Sequence, residues 1–78
     1  MHEVGVAKEV LSLCLEKAKG KRIRVIKVEL GNDGHTTPGS LTNAFELVAK
    51  GTVAENARLD IVKGADLESR VIELEVEG

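Results

Sequence analysis

An α+β fold, with two helices packed on one face of a three-stranded mixed sheet in the order α-β-α-β-β, is what this sequence predicts. Three observations predict it. Apolar residues recur at helical spacing in two segments. Three other segments alternate apolar with charged residues at the period of two that belongs to strands. Turn formers separate the five. Each segment has one apolar side, so the helices cover one face of the sheet and leave the other to water.

The first helix is predicted over residues 2–19, because Val4, Ala7, Val10, Leu11, Cys14, Leu15 and Ala18 share a face while Glu9, Glu16, Lys17 and Lys19 fall largely on the other. Gly20 reads as its left-handed cap. Residues 22–30 form the first strand. Ile26, Val28 and Leu30 alternate with Lys27 and Glu29, but Ile23 and Val25 sit in the opposite phase, which suggests a bulge or a start buried on both faces. Gly31-Asn32-Asp33-Gly34 stops the strand. Thr37 places a capping hydroxyl before Pro38 at the first helical position, and the second helix then runs to Gly51. Its apolar face is Leu41, Ala44, Phe45 and Val48, with Leu47 and Ala49 adding to it. Ala57, Leu59 and Ile61 alternate with Arg58, Asp60 and Lys63 in a second strand. Ile72, Leu74 and Val76 alternate with Glu73, Glu75 and Glu77 in a third, placing the glutamates on the solvent face. Residues 63–69 connect these two strands. If strands 1 and 2 are parallel neighbours, the crossover through helix 2 is right-handed.

The 78 residues are enough for a single small core, and one domain over 1–78 is expected. With 11 basic and 13 acidic side chains, a net charge of −2 and one aromatic residue, the chain offers neither the field nor the stacking platforms of a nucleic-acid binder. It has no apolar run that would span a bilayer and no secretory core, so a soluble cytoplasmic protein is expected. Cys14 is the only cysteine. It cannot form an internal disulfide or a Cys-x-x-Cys zinc site, and it reads as a small buried helix residue.

The chemistry concentrates at Met1-His2-Glu3. The Met1 amine, the His2 backbone nitrogen and a His2 ring nitrogen can close a five-membered and a six-membered ring on one ion. Such rings favour a square plane, and planar nitrogen coordination points to Ni(II) or Cu(II) rather than Zn(II). At a helix start these amides have no intrahelical acceptor, so a metal can displace their protons without breaking the helix. The helix dipole opposes a bare cation there, an objection that deprotonated amides weaken. Glu3 either assists, through its backbone nitrogen, its carboxylate or a contact behind the ligands, or simply favours the helix start by its charge. His35 is read as a solvated loop histidine, and Thr37 and Ser40 as capping residues. No enzyme is predicted.

The opening MHEVGVAKEVLSL, then VIKVELG, TPGSLTNAFELVAKGTVAENARLDIV and the closing VIELEVEG, together resemble the nickel-binding domain of the HypA family of hydrogenase-maturation metallochaperones. The most specific elements are the terminal Met-His-Glu, the glycine closing strand 1, the Pro-x-Ser-Leu-x-x-Ala-Phe helix start and the Gly-Thr-x-x-Glu-x-Ala-x-Leu run. The resemblance implies Met1, His2 and Glu3 as the nickel site. It also implies delivery of Ni(II) for [NiFe]-hydrogenase maturation, urease being a second recipient, with the maturation GTPase and the hydrogenase large subunit as partners.

Two departures stand out. The family inserts a zinc domain with two Cys-x-x-Cys pairs between what are here strands 2 and 3, whereas this chain joins them directly near 62–69, so Ni(II) and no zinc is expected. Gly39 stands where relatives commonly carry a glutamate, which weakens the helix start slightly. The competing reading is a metal-free protein-interaction domain, or a truncation that retains only the fold. The short connector also leaves open a homo-oligomer in which strand 3 is swapped.

Overall fold

The computed structural model describes residues 2–78, and for His2 the backbone alone; Met1 lies outside the described residues. The elements are α1 (His2–Ala18), β1 (Ile23–Leu30), α2 (Pro38–Val48), β2 (Arg58–Lys63) and β3 (Arg70–Val76), the order that the periodicities predict. Strand order is β2-β1-β3, with β1 parallel to β2 and antiparallel to β3, so the sheet is mixed.

Both helix ends fall short of the predicted limits. Helix α1 stops at Ala18 because Lys19 as well as Gly20 is left-handed, with φ of 51° and 85°, and the Lys21 N–H closes the turn on the Ala18 carbonyl at 3.1 Å. Helix α2 starts as predicted. The Ser40 N–H donates to Thr37 Oγ1 and the Thr37 N–H to Ser40 Oγ, each at 3.0 Å, a reciprocal box that gives both hydroxyl residues a capping role. It ends at Val48 rather than Gly51. The Ala49 N–H still reaches the Phe45 carbonyl, but the Ala49 carbonyl turns to the backbone N–H and the hydroxyl of Thr52.

The core lies between the helices and one face of the sheet. Ala7, Val10, Leu11, Cys14 and Ala18 from α1 meet Leu41, Ala44 and Phe45 from α2 over Ile23, Ile26, Val28 and Leu30 of β1. Leu47 was expected to join this face and is instead 66 % exposed. At 100° per residue it lies about 200° around the axis from Phe45, on the water side.

The phase slip in β1 is a bulge. Ile23 pairs with Val76 and Val25 with Glu75, which leaves Arg24 as the extra residue and lets Ile23 and Ile26 both face inward. A second irregularity corrects the reading of strand 3. Lys27 pairs with Glu73 but Val28 with Val71, so Ile72 is the unpaired residue. Val71 takes the inward place that Ile72 was expected to fill, and Ile72 is 49 % exposed. One inserted residue reverses the alternation N-terminal to it. Glu73, Glu75 and Glu77 are exposed, as read from the sequence.

Because β2 and β3 flank β1 on opposite sides, the chain between them must cross the end of β1. The span is about two strand spacings, or roughly 10 Å, within reach of six residues. Residues 64–69 make the crossing tightly. The Gly64 N–H donates to the Leu30 carbonyl at 2.9 Å, the Asn32 N–H to the Asp66 carbonyl at 2.7 Å and the Gly31 N–H to Ser69 Oγ at 2.8 Å.

Candidate metal centre at the start of helix 1

Three pieces of chain meet at one end of the sheet: the first turns of α1, the loop 31–37 that follows β1, and the connector 64–69. Val6, Glu9, Val10 and Leu13 of α1 line one hollow of about 180 Å³ together with Asp33, Leu67, Glu68 and Ser69. On α1 the lining begins at Val6, about one turn beyond the helix start at His2.

Of the expected nickel set, Met1 and the side chain of His2 lie outside the described residues. The His2 backbone opens α1, and Glu3 sits half-buried in its first turn. The leading amides of that turn have no acceptor within the helix. Glu9 on α1, Asp33 in the first loop and Glu68 in the second line the hollow beside α1 together, while Glu3 lies in the first turn of α1. The Glu3 carboxylate in that turn opposes the positive end of the helix dipole, so this is a less hostile place for a cation than a helix start without an acidic residue.

The loop 31–37 is organised by Asp33, whose structural role the sequence reading missed. Its Oδ1 accepts from the His35 and Thr36 amides and its Oδ2 from the Thr36 hydroxyl, all at 2.8 Å. Thr36 is buried by this arrangement and His35 is exposed. The signal was present in Asn32-Asp33-Gly34, since an aspartate before a glycine readily folds its carboxylate back onto the amides that follow. No group of three or more His, Cys, Asp or Glu side chains suited to a metal occurs among the described residues.

Cys14 lies about three turns along α1 from its start and is fully buried in the core. Burial pushes its thiol up to about 11, partly opposed by the charge of Lys17. A thiol so placed is a packing residue rather than a metal ligand. A hollow of about 460 Å³ between α2 and β2 is lined by Phe45, Ala49, Ala54 and Leu59 among others and shares no residue with the hollow beside α1. Among the described residues no helix is long and apolar enough to cross a membrane.

A two-layer α+β domain with two helices over a three-stranded mixed sheet defines the class of fold. Its match among known families is specific. The family model described as hydrogenase/urease nickel incorporation, metallochaperone, hypA, matches residues 1–70. The hydrogenase maturation factor HypA of Methylocella silvestris is 39% identical over 64 residues, covering 78% of this chain and 57% of that protein. That of Geobacter sulfurreducens is 36% identical over 61 residues, covering 78% and 56%. The chain thus spans a little over half the length of these curated relatives. The solution structure of the Ni metallochaperone HypA from Helicobacter pylori superposes with a TM-score of 0.78 at 20% identity, covering 95% of this chain and 96% of that one. A second HypA solution structure gives 0.75 at 23% identity, covering 99% and 97%. At those identities the superpositions speak to the fold. The chain belongs to the HypA family.

Proposed function

We propose that this chain is a nickel carrier module of one domain over 1–78. It captures Ni(II) with the Met1 amine, the His2 backbone and ring nitrogens and the Glu3 position, and gives the ion up during [NiFe]-hydrogenase maturation, with urease a second recipient. Nickel is its cargo. The observation that carries the reading is the family match from residue 1, which takes in Met-His-Glu. The start of α1 at His2 supports it, because the amides that must lose protons are those with no helical acceptor. An ion held at a chain terminus is open to an incoming ligand before the old ones leave, which suits transfer to a maturation GTPase or to the hydrogenase large subunit.

The same reading takes the zinc domain to be absent between β2 and β3. Six residues without a cysteine make that connection, and the one thiol of the chain is buried in α1.

Calorimetric titration of the untagged chain with Ni(II) tests the proposal. Stoichiometric binding is expected at pH 7.5, falling steeply toward pH 6, because an amine that ordinarily titrates at about 7.7–8.0 and an imidazole at about 6.5 must both be deprotonated to bind. His2→Ala, or one extra residue before Met1, should abolish the square-planar absorption band. Unchanged binding by either variant, or an affinity flat with pH, would remove the ligand assignment.

A further inference from the structure

The connector that crosses β1 does more than close the sheet, for it holds an apolar side chain out into water. Leu67 is 76 % exposed, although its own carbonyl presses on Gly31 and its neighbours Asp66 and Ser69 are hydrogen-bonded to Asn32 and Gly31. The backbone is thus pinned while the side chain stays uncovered. Across the hollow, Leu13 is 42 % exposed on the face of α1 that also carries Val6 and Glu9. Two leucines on hydrogen-bonded supports, with Val6 and Val10 lining the same hollow, form an apolar groove whose shape is set before anything binds.

The charge around the groove selects the occupant. Glu9, Asp33 and Glu68 line it, and no lysine or arginine does. Arg70, just beyond Ser69, is committed to Glu29 by bonds of 2.6 and 2.9 Å. A second copy would bring the same acidic rim against itself, and anionic lipid or nucleic acid would meet the same repulsion. We propose that this groove docks a basic amphipathic segment of a partner protein. An apolar side chain enters between Leu13 and Leu67, and flanking lysines or arginines face Glu9 and Glu68. The docked segment lies along α1 from Val6 to Leu13. Docking requires no metal, and the inference stands or falls apart from the nickel reading.

The test uses the metal-free, isotopically labelled chain and a synthetic helical peptide with leucines at i, i+4 and i+7 flanked by lysines. A second peptide carries glutamates in place of the lysines. Saturable amide shifts centred on Val6, Leu13, Leu67 and Ser69 are expected with the basic peptide, weakening as salt is raised. Leu67→Asp, an exposed position, should keep the native spectrum and bind about tenfold or more weaker. The proposal is overturned by no saturable shift, by shifts that map elsewhere, by equal binding of the acidic peptide, or by unchanged binding to Leu67→Asp.

Discussion

Cys14 illustrates how far one residue's behaviour follows from its surroundings. Its sulfur sits in the interface between α1 and the rest of the core, and desolvation disfavours the thiolate. Raising the thiol from 9.0 to about 11 leaves roughly a hundredfold less thiolate at pH 8 in the folded chain than in the unfolded one. Alkylation by iodoacetamide at pH 8 should therefore be slower by that factor or more until denaturant is added. Equal rates would place the thiol at the surface. The same shift has a signed effect on stability. The unfolded thiol releases its proton first, so the contribution is complete below about pH 9 and is lost as pH rises through about 11. Of this, the sequence showed that Cys14 lies on the apolar face of a helix. It could not show how completely the sheet would cover it.

Among the elements, the connector 64–69 rests on one glycine. A Cβ at Gly31 would collide with the Leu67 carbonyl oxygen and come within 2.8 Å of the Glu68 carbonyl carbon. Both are backbone atoms that cannot swing away. Gly31→Ala should thus cost about 1–3 kcal/mol and lower Tm by about 5 °C or more, with the amides of Gly31 and Ser69 shifting most. Gly5 supplies the contrast, since a Cβ there meets nothing within 4 Å. Gly5→Ala should stabilise α1 by about 0.5–1 kcal/mol through helix propensity. Thermal unfolding of the two variants side by side checks the argument, and equal effects would show that the crossing does not bear on Gly31. The sequence marked Gly31 as the first residue of a turn and as one element of the family resemblance, without a reason for it. Its need for a bare Cα comes from a segment more than thirty residues later.

For the molecule as a whole, the proposed absence of zinc turns on the path from β2 to β3. Six residues close the sheet over the end of β1, and the cysteine-free crossing offers zinc no thiolate. Elemental analysis of the purified chain should find substoichiometric zinc before and after nickel loading, and one tightly held zinc per chain would overturn the single-domain proposal. The five elements and the α+β class were legible because helix and strand periods differ and each segment shows one apolar side. The proposed Met-His-Glu set rests on chelate-ring size, which depends only on neighbours in the chain. Three features were hidden. The inward turn of Val71 in place of Ile72 follows from a bulge, which is a property of two strands in register. The exposure of Leu47 follows from which side of α2 meets the sheet. The groove between Leu13 and Leu67 joins residues more than fifty apart.

What the sequence determined by itself is what neighbours along a chain determine: where helices start and which segments carry an apolar face. Only the tertiary structure decided which strand became central, which glycine must stay bare and which leucines stand in water. Those depend on contacts across the fold, where two segments compete for one volume and a local pattern carries no information about its distant partner.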